Sequence, residues 1–259
     1  MDCQFCTFKL PRNRFQCPSC RQWNHGSAKL ILPGDDGTIL LSEVEGSNVT
    51  RYRSGPWDKN FGEGGVATTS VNLIGGVPGA GKSTLLLQLI SSLALTTKKE
   101  ALLIGAEENE KQVKDRGIRL LLPGMNRIRI LPVEKQVGAS LESIIEFRRP
   151  CCCVIDSIQS YAKNPDQQVE ICGTLKLWAT KLDCPFFVVC HVTKEEGLAG
   201  LMTLQHAVDM TSILYNEKGI RVFHTEKNRF GQDQVDTFYE MTGTGLREIE
   251  DPDKEEEDE

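Results

Sequence analysis

Gly76-Val-Pro-Gly-Ala-Gly-Lys-Ser83 has the spacing GxxxxGK[ST], followed by Thr84. An apolar run (Val71-Asn-Leu-Ile74) leads in, and a helical run (Thr84-Leu-Leu-Leu-Gln-Leu-Ile90) leads out. A strand, a glycine-rich loop and a helix in that order form a phosphate cradle. The glycines let backbone N–H groups approach an anion with no Cβ in the way, and the helix points its positive end at it. The nucleotide-binding segment is therefore Gly76, Val77, Pro78, Gly79, Ala80, Gly81, Lys82, Ser83 and Thr84. Lys82 is expected on the β- and γ-phosphates of ATP, and the Ser83 hydroxyl on Mg²⁺. A plain glycine-rich turn is the competing reading, and the Lys-Ser-Thr register argues against it.

Such a loop needs an acidic residue at the end of a nearby apolar strand to support the Mg²⁺ shell. Cys151-Cys-Cys-Val-Ile-Asp156 supplies it; an aspartate capping the next element is the alternative. Ser157 follows and cannot act as a base at neutral pH. The base must come from elsewhere, and Ala101-Leu-Leu-Ile-Gly-Ala-Glu107-Glu108 is the best source. Glu107 is expected to activate the attacking water, with Glu108 the alternative, or both simply beginning a helix. Val189-Cys-His191-Val-Thr193-Lys194 brings polar groups to the same rim, where one could sense the γ-phosphate; a satisfied core histidine is the other reading of His191. Lys227 and Arg229, in Glu226-Lys-Asn-Arg-Phe-Gly231, are either a surface charge pair or a finger reaching a neighbouring subunit's γ-phosphate.

Ten cysteines fall into separate groups. Cys3-x2-Cys6 and Cys17-x2-Cys20 have the spacing of a tetrahedral Zn²⁺ site with four thiolates and no open position. A segment of about 25 residues has no core of its own, so the metal would supply much of its folding energy. The competing readings are idle thiols or a redox C-x-x-C, and the latter needs one pair and a βαβ setting, which is lacking here. His25 reads as a surface residue, and Lys9, Arg12, Arg14, Arg21 and Lys29 as a basic face that could touch phosphates. Cys151–Cys153 read as buried thiols.

The elements positioning these residues alternate from Val71 onward. Strands are expected at 71–75, 101–105, 128–132, 151–157 and 185–192, and helices at 84–95, 110–121, 140–147, 169–181 and 202–208. Near-continuous apolar strands between amphipathic helices give a mostly parallel sheet covered on both faces, an α/β P-loop core. The end turns β-rich at 211–215, 219–226 and 235–241, and alternation in Arg221-Val-Phe-His-Thr225 suggests half-buried antiparallel strands. The expected organisation is a zinc module at 1–29, a linker and lead-in at 30–66, an ATPase domain at 67–247 and an acidic, disordered tail at 248–259. The net charge of −6 hides an asymmetry: without the tail, 27 acidic and 29 basic residues leave +2. A mildly basic body is compatible with nucleic acid, and the tail is either a solubility device or a competitor for that surface. No apolar run is long enough to span a membrane and no signal segment begins the chain, so a cytoplasmic location is expected.

These motifs together resemble the bacterial RadA (Sms) family of the RecA superfamily. The resemblance rests on the two C-x2-C pairs with Gln22-Trp-Asn24, on GxPGxGKST at 76–84, on Val154-Ile-Asp-Ser-Ile-Gln159, on His191-Val-Thr-Lys-Glu195 and on Lys227-Asn-Arg-Phe-Gly231. It implies a RecA-like core behind a zinc ribbon and a hexameric ring with nucleotide at subunit interfaces. It also implies single-stranded or branched DNA as partner, with branch migration or helicase-like translocation, and a recombinase or replication protein as a further partner. The family's C-terminal Lon-like domain has no counterpart here. The segment Ser157–Gln168, carrying Lys163 and Asn164, is short for a first DNA-facing loop, and Glu196 stands where a small residue is usual in the second.

The expected activity is thus a DNA-dependent ATP hydrolase acting in recombination and repair. Lys82, Glu107, Asp156, Lys227 and Arg229 would be catalytic, Ser83 and Asp156 would serve Mg²⁺, and Cys3, Cys6, Cys17 and Cys20 would hold Zn²⁺. Loops at 160–168 and 194–201 would face DNA. An ATP-gated regulator or loader that binds a protein partner without translocating is the rival, since KaiC-like ATPases put the same core to regulatory use. A small-molecule kinase is disfavoured because no second-substrate lid is recognisable.

Overall fold

The computed structural model describes Cys3, Cys6, Lys9, Cys17, Ser19, Cys20 and residues 49–105, 107–132, 140–191 and 197–252, with backbone alone at 197–201. The chain divides into two compact units, Met1–Ser47 and Asn48–Glu259.

The larger unit opens with β1 (Arg51–Tyr52), α1 (Asp58–Phe61) and β2 (Val66–Ala67). It continues as β3 (Val71–Gly76), α2 (Lys82–Thr97), β4 (Ala101–Ile104), α3 (Glu110–Arg119), β5 (Ile128–Leu131), α4 (Leu141–Arg148), β6 (Cys152–Ile155), α5 (Pro165–Leu182), β7 (Phe186–His191) and α6 (Gly197–Ala207). Four strands finish it: β8 (Met210–Glu217), β9 (Ile220–Asn228), β10 (Val235–Thr242) and β11 (Gly245–Ile249). The main sheet has nine strands in the order β11-β10-β9-β8-β3-β7-β6-β4-β5. From β8 to β5 neighbours run parallel, and β8 to β11 form an antiparallel meander. β1 and β2 pair separately.

The central parallel strands β3, β4 and β6 are buried throughout because both faces are covered, whereas the edge strand β5 is partly exposed. Leu85, Leu89 and Leu93 of α2 and Val113 of α3 share one core with Ile74, Leu103 and Val154. Ile145 of α4, Leu175 of α5 and Leu204 of α6 share the other with Leu73, Ile104 and Ile155. Successive strand side chains thus feed opposite layers. Cys151, Cys152 and Cys153 are fully buried, as expected, and burial pushes the Cys152 and Cys153 thiols well up.

Several boundaries differ from the expectation. Residues 30–66 were expected to be linker and lead-in, yet Trp57 and Phe61 are buried core residues. Trp57 stacks on Tyr239 with ring centroids 4.9 Å apart, and Phe61 meets Phe187 edge-on at 5.7 Å. Glu248 and Ile249, placed in the acidic tail by composition, end β11; Glu248 Oε1 accepts a hydrogen bond from Lys59 Nζ at 2.5 Å. The rest of that tail, at 253–259, lies outside the described residues.

Candidate nucleotide site and cysteine centre

β3 carries the chain to Gly76, where the phosphate loop begins, and α2 takes over at Lys82. A Cβ on Gly76 would stand 2.3 Å from the Leu214 carbonyl oxygen, so only glycine lets the loop leave between β3 and β8. Gly79 has φ +80°, and beyond its chain neighbours no atom of the described residues lies within 4 Å of where its Cβ would be. The Lys82 ammonium donates to the Gly76 and Val77 carbonyls at 2.7 and 3.1 Å. Burial lowers its pKa, while Asp156 and Glu107 pull the other way.

Asp156 follows the last residue of β6, and Ser83 Oγ donates to its Oδ2 at 3.2 Å. These hard oxygen donors suit Mg²⁺. Burial raises the Asp156 pKa, with the Glu107 charge adding to it and Ser83, His191 and Lys82 opposing. Glu107 lies just past β4. Its Oε1 accepts from His191 Nε2 at 2.7 Å and from Ser157 Oγ at 3.0 Å. One ligand atom from each of Glu107, Asp156 and His191 lies within 4.8 Å of the others. Adjacent parallel strands β4, β6 and β7 thus deliver three polar groups to one rim, where an open α/β sheet gathers its chemistry. Glu108 is ion-paired with Arg116, and both line the same cavity as Ser83, Glu107 and Asp156; of the two glutamates, Glu107 is the one bonded to Ser157 and His191.

Lys227 and Arg229 lie at the other end of the sheet. Lys227 pairs with Thr211, and the Arg229 amide donates to the Asp209 carbonyl. Asp209 Oδ2 accepts from the amide of Val71, the first residue of β3. Val71 and Gly76 are the two ends of β3, about 16 Å apart at strand rise. The Lys227 ammonium donates to the Gln205 and Val208 carbonyls at 2.5 and 2.8 Å. Arg229 Nη1 donates to buried Asp209 at 3.3 Å, which also accepts from Lys176 at 2.7 Å. Neither cation is placed to serve its own chain's phosphate loop.

Sequence reasoning missed three contacts. Arg221 Nε donates to the Ala80 carbonyl at 3.0 Å, bringing a guanidinium to the phosphate loop from the start of β9. Ser157, dismissed as a base, orients Glu107. His191 faces Glu107, a pairing that follows from strand order β4-β6-β7 and has no local signal. The first loop expected to face DNA, 160–168, runs into α5, which starts at Pro165 and is capped by Asn164 accepting from the Asp166 amide at 2.8 Å; residues 163–167 are exposed and Gln168 is buried. Lys163 remains exposed. In the second loop, 194–196 lies outside the described residues and 197–201 begins α6.

In the smaller unit, Cys3 Sγ lies 3.6 Å from Cys20 Sγ, and Cys6 Sγ 3.6 Å from Cys17 Sγ. All four sulfurs fall within 4.8 Å of one another. A tetrahedron with Zn–S of about 2.3 Å has sulfurs about 3.8 Å apart, so the four residues fit Zn²⁺. His25 and the basic residues Arg12, Arg14, Arg21 and Lys29 lie outside the described residues.

No family model matches the chain. Curated relatives do. The chain is 34% identical to the DNA repair protein RadA of Listeria monocytogenes over 96% of its own length. It is 32% identical to that of Bacillus subtilis, again over 96%, and 34% identical to that of Helicobacter pylori over 95%. It spans 59% of the length of each of these relatives. Among solved structures, the KaiC-like protein PH0186 from Pyrococcus horikoshii OT3 superposes with a TM-score of 0.66 at 18% identity, covering 78% of this chain and 100% of that one. Over nearly all of its own length the chain is therefore similar to part of the bacterial RadA proteins, and its fold is that of the KaiC-like, RecA-type α/β core.

Proposed function

We propose that the chain is a DNA-dependent ATP hydrolase of recombination and repair, working in the cytoplasm as a ring with nucleotide between subunits. The observation that carries this reading is the division of labour across one sheet. Lys82, Ser83, Asp156 and Glu107 converge at the carboxyl rim, while Lys227 and Arg229 sit at the opposite end of the strands. A neighbouring copy's rim is where those cations find a triphosphate.

Backbone N–H groups of the loop and the Lys82 ammonium bind the β- and γ-phosphates, exchanging the Gly76 and Val77 carbonyls for phosphate oxygens. Ser83 and Asp156 would hold Mg²⁺, which when bound neutralises charge on the phosphates. Glu107 orients a water in line with the γ-phosphate and takes its proton, with Ser157 and His191 fixing the carboxylate. Arg229 and Lys227 from the neighbour stabilise charge on the transferring group. Single-stranded or branched DNA is the proposed partner, and translocation or branch migration the proposed output.

The test is the ATPase rate with and without single-stranded DNA, paired with mass measurement in Mg²⁺ and a slowly hydrolysed ATP analogue. A salt-sensitive stimulation and a ring-sized mass are expected. Hydrolysis without stimulation would favour the ATP-gated regulator instead. A monomer that hydrolyses nothing would overturn both.

A further inference from the structure

β6 ends at Ile155, whereas β7 runs on to His191; the two pair only as far as Ile155 with Val188. The last residues of β7 therefore lack a strand partner on the β6 side, although β3 still pairs with them on the other through Gly76 and His191. Gln159 fills the gap. It stands in the short 3-10 turn Ile158–Ser160 that follows Asp156. Its Oε1 accepts from the His191 amide at 3.3 Å, and its Nε2 donates to the His191 carbonyl at 3.1 Å. The same Nε2 lies 3.2 Å from Cys190 Sγ. A primary carboxamide carries the donor and acceptor of a peptide group, so Gln159 does for one residue what an extended β6 would do.

That residue is the one whose ring meets Glu107. A carboxylate only accepts, so His191 Nε2 is the donor to Glu107, and Nδ1 is buried with no partner among the described residues. Among the described residues the ring is held by Glu107 alone; its aim depends on where the His191 backbone sits, and Gln159 sets that on the β6 side. We infer that Gln159 is a positioning residue for hydrolysis: its amide registers the end of β7, which aims His191 at Glu107 and so holds the carboxylate for water activation. The inference rests on the proposed ATPase reading.

The test uses the full chain with Gln159→Met, which keeps bulk and removes both hydrogen bonds, and Gln159→Glu, which keeps an acceptor and loses the donor. Each is accepted for comparison only if it melts within a few degrees of the parent. The expectation is a kcat at least tenfold lower in both, with KM for ATP within twofold. The Gln159→Met/His191→Ala double variant should be no slower than His191→Ala alone, since both act on one path. An unchanged kcat, or a further tenfold loss on the His191→Ala background, overturns the inference. Should the parent chain hydrolyse no ATP, the functional reading fails on its own, and ¹⁵N NMR of the His191 ring decides the inference: ring shifts that move in Gln159→Met support it, and identical shifts overturn it.

Discussion

Glu107 Oε1 receives two hydrogen bonds, from His191 Nε2 at 2.7 Å and from Ser157 Oγ at 3.0 Å. The carboxylate is thereby aimed before any substrate arrives, which is what a general base requires. Glu107→Gln keeps the shape and loses the basicity. We expect turnover to fall by about two to four orders of magnitude, with ATP affinity unchanged in a filter or fluorescence binding assay. Glu108→Gln should cost little turnover, since its carboxylate faces Arg116. The reverse ranking would move the base to Glu108.

Asp156 predicts a pH dependence. Burial, with Glu107 adding to it, holds its carboxyl above the ordinary aspartate range. An acid whose pKa is raised by folding binds more protons folded than unfolded between the two values, so its contribution to stability falls as pH rises through the folded value. Without nucleotide, Asp156→Asn should melt at a higher temperature than the parent at neutral pH. That advantage should shrink as pH drops through the raised value, where the parent's carboxyl is neutral too. A constant gap across the titration would show that Asp156 is not the group responsible.

How much of this was legible in the sequence depends on range. The strand, loop and helix around Lys82 are contiguous, so their spacing alone located the phosphate site; Asp156 could be read because an apolar run ends on it. The contacts among Glu107, Ser157, His191 and Gln159 could not be read, because they exist only once β4, β6 and β7 lie side by side. Trp57 and Phe61 escaped notice because a 3-10 turn and a single helical turn show no periodicity. β11 was hidden by its shortness and by the acidic residues beyond it.

The cysteine centre predicts a stoichiometry. Four sulfurs spaced for a tetrahedron should hold about one zinc per chain. Titrating the protein with a mercurial reagent in the presence of a zinc indicator should release that zinc, and Cys17→Ser should reduce the amount bound. Chelation should cost the smaller unit its fold, since metal binding is its main source of folding energy. Preparations with no zinc, or with zinc insensitive to Cys17→Ser, would remove the metal from the account.

The finger assignment can be tested by mixing. Lys82→Ala leaves a chain with a disabled loop and an intact Arg229; Arg229→Ala leaves an intact loop and no finger. If Arg229 acts across the interface, each variant alone is inactive, and a random equal mixture rebuilds complete sites wherever an Arg229→Ala loop abuts a Lys82→Ala neighbour. Recovery to about a quarter of parental turnover is expected, because the finger acts in trans. Arg229 also braces buried Asp209 together with Lys176, so the Arg229→Ala chain must first be shown to bind ATP and to melt near the parent. Given that, a mixture no faster than its components would place Arg229 in the structural pairing alone, and full activity of Arg229→Ala by itself would dismiss the finger.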